Sequence, residues 1–171
     1  MKKLVALLAL VAAPAAAQEA SVYYASDTWP VTASGRTCTM AYAGSEAVAD
    51  PLSVSYDGRE VALATTNEVA DSLPDSGAID LAIVFLDNGR TAYDDGWGTR
   101  SFAFSRDNGK ARFTARFTGE RNVRQMLADL ENSAHIGFLH RGKAVMSAEL
   151  AGAGRSLARL RECAARAVAA N

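Results

Sequence analysis

The residues of this chain that could do chemistry are two cysteines, two histidines, one acidic pair beside a tryptophan, and a set of arginines. Cys38 and Cys163 are an even pair, which in an exported chain reads as a disulfide. Two unbridged thiols are the alternative. A zinc site takes about four ligands, so this pair alone does not make one. His135 and His140 are candidate bases, but on a strand residues at i and i+5 point to opposite faces. They cannot share a metal ion, and at most one could serve a nucleophile on a given face. No G-x-S-x-G elbow, H-E-x-x-H pair or phosphate-cradling glycine loop occurs.

Asp94 and Asp95 stand just before Gly96-Trp97-Gly98. A carboxylate pair can hydrolyse a glycosidic bond, with its members meeting in space rather than in sequence. Trp97 in a glycine-rich loop could then stack on a sugar ring. The plainer reading is a turn whose indole packs inward. Asp87-Asn88 and Asp107-Asn108 are also acids beside glycines, and turn chemistry accounts for them. The alternating acids and late glutamate of a calcium loop are missing. No metal site and no cofactor are therefore expected.

The arginines point to binding. Arg112 and Arg116 share one face of an alternating segment, flanked by Arg100, Arg106 and Lys110. Clustered guanidinium groups grip carboxylate or phosphate through paired N–H donors. A solvated face, or pairing with acids elsewhere in the chain, is the alternative. Residues 18–99 carry 13 acidic against 3 basic side chains, and residues 100–171 carry 6 against 13. Such asymmetry marks either a charged partner or two halves that neutralise one another.

These residues need elements to hold them. Lys110 to Thr118 alternates without fault: Ala111, Phe113, Ala115 and Phe117 against Lys110, Arg112, Thr114 and Arg116. That is a strand with one face in the core and one in water. Leu52 to Tyr56 and Glu60 to Thr66 flank Asp57-Gly58, a hairpin signal. Ala78 to Leu86 is apolar and rich in β-branched residues, as a central strand would be. Ser101 to Ser105 precedes Asp107-Asn108-Gly109, a second hairpin signal. Ser21 to Ala25, Pro30 to Ala33 and Arg36 to Ala43 are weaker strand candidates. Gly44 to Pro51 reads as turns, and Asn67 to Gly77 as mostly loop. His135 to His140 and Lys143 to Leu150 read as a last hairpin.

The period changes at Val123, Met126, Leu127, Leu130 and Ala134, which follow helical spacing. Thr118 or Gly119 can cap that helix and Asn132 can end it. Arg155 to Ala169 forms a second helix with Cys163 on its apolar stripe. The expected class is α+β: a β-rich antiparallel sandwich or half-barrel of about eight strands, with two late helices packed on it.

The first 17 residues have the three parts of a secretory signal. Lys2 and Lys3 are followed by an apolar stretch from Leu4 to Ala13, then Ala15-Ala16-Ala17 before Gln18. The apolar stretch is half the roughly 20 residues a membrane span needs. Residues 18–171 then form a single domain, closed by the disulfide. The expected location is periplasmic or secreted. The expected partner is an envelope protein or an anionic envelope glycolipid, and not nucleic acid. The oligomeric state is not legible.

Two clusters of residues resemble known proteins. Trp29-Pro30-Val31 and Cys38-Thr39-Met40 come early, and Ala148-Glu149-Leu150-Ala151-Gly152 with Leu157, Leu160 and Cys163 comes late. The pattern is similar to small exported alphaproteobacterial proteins of unknown function with a late s-L-x-G…L…C motif. With Leu73-Pro74 it also resembles, remotely, the invasion-associated locus B family. This sequence lacks the central close-spaced cysteine pair associated with that family. The resemblance implies an envelope protein and supplies no catalytic residue. Two functions are therefore expected in order: a non-enzymatic envelope-binding module using the arginine face, then a small glycan-acting enzyme using Asp94 or Asp95.

Overall fold

The computed structural model describes residues 20–43, 52–68, 73–87, 90–92, 97–107 and 109–170. The segments read from sequence as a secretory signal (1–17) and as turns (44–51), together with Asn88, Asp94, Asp95 and Asn108, lie outside them.

The chain is α+β. Its strands are β1 (Ser21–Tyr24), β2 (Val31–Ser34), β3 (Thr37–Ala41), β4 (Leu52–Tyr56), β5 (Glu60–Glu68), β6 (Ser76–Asp87), β7 (Arg90–Ala92), β8 (Thr99–Asp107), β9 (Lys110–Thr118), β10 (His135–His140) and β11 (Lys143–Glu149). Helix α1 (Glu120–Asn132) lies between β9 and β10, and α2 (Ala153–Ala169) ends the chain. All strands join one antiparallel sheet in the order β1-β2-β3-β4-β5-β9-β8-β6-β10-β11, with β7 paired to β6.

The described residues thus hold eleven strands rather than about eight. The additions are short or peripheral. Strands β1 and β2, four residues each, fall on the two weak candidates at Ser21 to Ala25 and Pro30 to Ala33, and β7, with three residues, is too short for a clear period of two. Strands β5 and β6 also run into the segment read as loop, taking in Asn67, Glu68, Ser76 and Gly77.

One face of the sheet is apolar and carries both helices. Phe113 lies opposite Phe104 and Thr65 in the ladder, Phe102 opposite Ile79, and Ile83 opposite Phe138. Helix α1 buries Val123, Met126, Leu127 and Leu130 toward β9, β5 and β6. Helix α2 buries Leu157, Leu160 and Cys163 toward β3 and its neighbours. The two helices touch each other, so the core is continuous. The sheet stays open, but its far edge returns toward β5. There Asn67 Nδ2 donates to the Val145 carbonyl of β11 at 2.6 Å. That bond occupies one of the edge groups that would otherwise invite another strand.

The early and late segments meet on α2. Cys38 and Cys163 form a disulfide across a sequence separation of 125, with Cα atoms 6.1 Å apart. Trp29 is fully buried, and its Nε1 donates to the Ala151 carbonyl at 3.2 Å, just before α2 begins. At β1 the register shifts between Val22 and Tyr24. Successive tyrosines then both meet α2: Arg159 lies over Tyr24 and Arg166 over Tyr23. A bulge of this kind re-aims side chains that regular alternation would separate.

The β4–β5 turn is held by Asp57. Its Oδ1 accepts from the N–H groups of Arg59 and Glu60, each at 2.8 Å. Partial burial pushes its carboxyl up, but those N–H donors and the charge of Arg36 together outweigh burial. The net pKa lies below the ordinary value of 3.8. A lowered folded pKa gives stability that is present above the ordinary carboxylate range and is lost as pH falls through the folded value. Asp57→Ala is therefore expected to cost about 1 kcal/mol near neutral pH. Urea titrations should show that difference shrinking once pH drops below ~4. A difference that does not change down to pH 2 would refute the assignment.

Candidate binding site

The described residues hold no group of three or more His, Cys, Asp or Glu placed to bind a metal ion. The histidines lie apart, as their spacing requires. His135 Nε2 is 3.8 Å from Glu149, while His140 Nδ1 faces the Asp80 carbonyl at 3.1 Å. Trp97 is 3% exposed; its Nε1 donates to Asp129 Oδ2 of α1 at 2.6 Å, and its ring packs edge-on to Phe117. The indole therefore ties its loop to α1 and offers no open face for a sugar ring. Asp94 and Asp95, the carboxylates expected beside it, fall outside the described residues.

The five basic residues of the arginine face divide by register. Lys110, Arg112 and Arg116 share the face of β9 that points away from the helices, opposite in parity to buried Phe113 and Phe117. Arg100 and Arg106 lie on the other face, in line with Phe102 and Phe104 of β8. Arg100 sits over Trp97 with its guanidinium carbon 6.0 Å from the ring centroid. Arg106 Nη1 donates to the Leu73 carbonyl at 2.5 Å. The alternation of β8 already carried this division, because both arginines keep even spacing from its phenylalanines.

Arg112 and Arg116 stand over a shallow trough of about 320 Å³ across the outer face of β4, β5 and β9. Its lining combines small side chains, Ser55, Ala62, Ala64 and Thr114, with two carboxylates: Glu60, paired with Arg116, and Asp57, whose Oδ1 accepts from the N–H groups of its own turn. The small residues are in register on adjacent strands, Ser55 beside Ala62 and Ala64 beside Thr114. Small residues at successive rungs leave a depression, and the two long side chains overhang it. Arg112 Nη2 donates to Ser53 Oγ at 3.2 Å, and Arg116 pairs with Glu60. The Arg116 side chain is 69% exposed, and ion pairs with that much solvent are worth roughly 0–1 kcal/mol. Such a partner is readily exchanged. A guanidinium has five N–H donors, so each arginine retains donors for an anion.

The Arg116–Glu60 pair joins the acidic half of the chain to the basic half. The pairs Arg161–Glu131, Arg159–Glu162 and Arg166–Glu162 lie within the basic half. Two displaced pKa values come from these helix contacts. The Arg159 hydrogen bond lowers Glu162, and Glu162 raises Arg159 in return.

A second concavity lies on the helix side. It is a groove of about 870 Å³ between the β4–β5 turn, the start of α1 and the end of α2. Sequence reasoning missed it, because its walls come from three segments far apart in the chain.

Comparison with protein-family models, with curated proteins and with solved structures finds no match to this chain.

Proposed function

We propose that this chain is an exported, non-enzymatic protein of the cell envelope that binds the anionic head group of an envelope glycolipid in the Arg112–Arg116 trough. The observation that supports it most directly is the pairing of two strand arginines above a floor of serine, threonine and alanine. That floor offers hydroxyl groups to a polar head group, and the arginines offer paired N–H donors to phosphate or carboxylate. The export part of the reading rests on residues 1–17, and the disulfide agrees with an oxidising compartment. None of the described helices is long and apolar enough to cross a membrane, which suits contact from one side. In this reading the sheet serves as a half-barrel around its two helices, and its outer face is the platform.

The test is a titration of the mature, disulfide-bonded protein with a deacylated, phosphorylated glycolipid head group. The double variant Arg112→Glu, Arg116→Glu should bind about a hundredfold more weakly, since two charge-assisted contacts at roughly 1.5 kcal/mol each are lost. Wild-type affinity should also fall as salt rises. Equal affinity of variant and wild type would overturn the reading. If the head group fails to bind, but an acidic envelope protein binds the wild type and not the variant, the trough is a protein-docking surface instead.

A further inference from the structure

We infer that the groove between the β4–β5 turn and the two helices is a second site, one that takes a single acyl chain ending in a carboxylate. Its volume of about 870 Å³ lies within the roughly 300–1,000 Å³ of small-molecule pockets. Its floor is apolar, made by Val123 and Leu127 of α1 and Ala165 and Val168 of α2. Val168 is 41% exposed and is one of two large hydrophobic side chains exposed among the described residues. The wall beside it is the turn. Gly58 at φ +91° brings the backbone so close that an added Cβ would stand 3.2 Å from Val168 Cγ2.

The rim selects the charge of the occupant. Arg59 stands on the turn, Arg124 on α1 and Arg161 on α2, against Glu120. Arg161 is committed, donating to Glu131 at 2.8 Å and to the Leu127 carbonyl at 3.3 Å. Arg124 is 3.5 Å from Glu120 in an exposed pair, and Arg59 makes no ion pair among the described residues. The rim therefore carries an excess of positive charge around an apolar floor. The first turn of α1 adds to it: Gly119 lines the groove and caps the helix without a side-chain hydrogen bond, leaving the positive end of the helix dipole to be met by Glu120 or by an occupant. An apolar floor under a cationic rim complements one chain with an anionic end.

The trough and the groove adjoin at Tyr56, which lines both, but Arg112 and Arg116 line only the trough and Val168 and Arg59 only the groove, so the two sites can be tested separately. The probes are dodecanoate, tetradecanoate and dodecyltrimethylammonium, each below its micelle concentration, titrated calorimetrically into the mature disulfide-bonded protein. The carboxylates should bind one to one, with affinity rising about fourfold for each added methylene. The cation of equal chain length should bind at least about tenfold more weakly, the change expected when one charge contact reverses sign. Val168→Asp and Arg59→Glu, both at exposed positions, should each weaken tetradecanoate about tenfold or more. Arg112→Glu with Arg116→Glu should leave tetradecanoate binding unchanged. Affinity independent of chain length, or equal binding of the cation, would overturn the proposal. So would tetradecanoate binding that persists in both Val168→Asp and Arg59→Glu. An acidic amphipathic peptide that binds where carboxylates do not would also overturn it, and would mark the groove as a helix-docking site.

Discussion

Removing the Cys38–Cys163 disulfide is expected to destabilise the native protein by about 3–5 kcal/mol and to lower its Tm by roughly 10 °C or more. The loop it closes spans 125 residues, and chain-entropy reasoning gives roughly 5 kcal/mol for a loop of that length. Most of this effect lies in the unfolded chain, which gains freedom when the bridge is lost. Both cysteines are buried, so replacement also leaves small gaps in a packed region. Cys38 belongs to β3 near the start of the domain and Cys163 to α2 at its end. The bridge therefore ties the last helix to the sheet before any other long-range contact is counted. The measurement is a urea titration of the oxidised protein, of the reduced protein, and of Cys38→Ala with Cys163→Ala. The reduced and doubly substituted forms should unfold at similar, lower urea concentrations. If all three midpoints coincide, the bridge contributes nothing and the entropic account fails.

Trp29→Ala should produce a loss of similar size, about 3–5 kcal/mol, for a different reason. Trp29 is fully buried against Tyr42, with ring centroids 5.2 Å apart. Its indole N–H satisfies the Ala151 carbonyl at the turn into α2. Truncation removes the largest side chain of that region and leaves a carbonyl without its donor. Trp29→Phe separates the two effects, because it keeps most of the volume and loses only the N–H. It should cost about 1–2 kcal/mol. Amide exchange should place the added opening at the start of α2 in both variants. A Trp29→Ala protein as stable as wild type would mean the neighbouring segments collapse into the space. Unchanged exchange around Ala151 would show that the hydrogen bond does not hold the turn.

These two contacts give physical content to the early and late residue clusters of this sequence. Trp29 meets Ala151 and Cys38 meets Cys163, so the Trp-Pro-Val and Cys-Thr-Met segments close on Leu-Ala-Gly and α2. The spacing reflects one packed junction. Neither partner pair lines the trough or the groove.

Local pattern carried the elements it could reach. The alternation of Lys110–Thr118 matches β9 end to end, because one face had to be apolar and the other wet. Helix α1 begins at Glu120, beside the glycine expected to cap it, and ends at Asn132. The hairpins at Asp57-Gly58 and Gly109 follow from glycines at positive φ, +91° and +77°. The cysteine pair could be read from its even count and from the expectation of export, because two thiols in an oxidising compartment pair.

The rest depended on contacts between distant parts of the chain. That β9 pairs with β5, and that β6 sits between β8 and β10, is a matter of long-range packing that no local period encodes. The division of the arginines is an exception, because strand alternation alone carries it. Arg112 and Arg116 share one face, while Arg100 and Arg106 follow the phenylalanines of β8 to the other. The trough exists because small residues of β4, β5 and β9 fall on matching rungs, and the groove because a turn and two helix ends meet. Sequence alone determined both helices, the longer strands and which thiols would join, since those follow from side-chain period and from there being one cysteine pair. Only the tertiary structure decided where charge and apolar surface come together, since that requires segments separated by tens of residues to share one face.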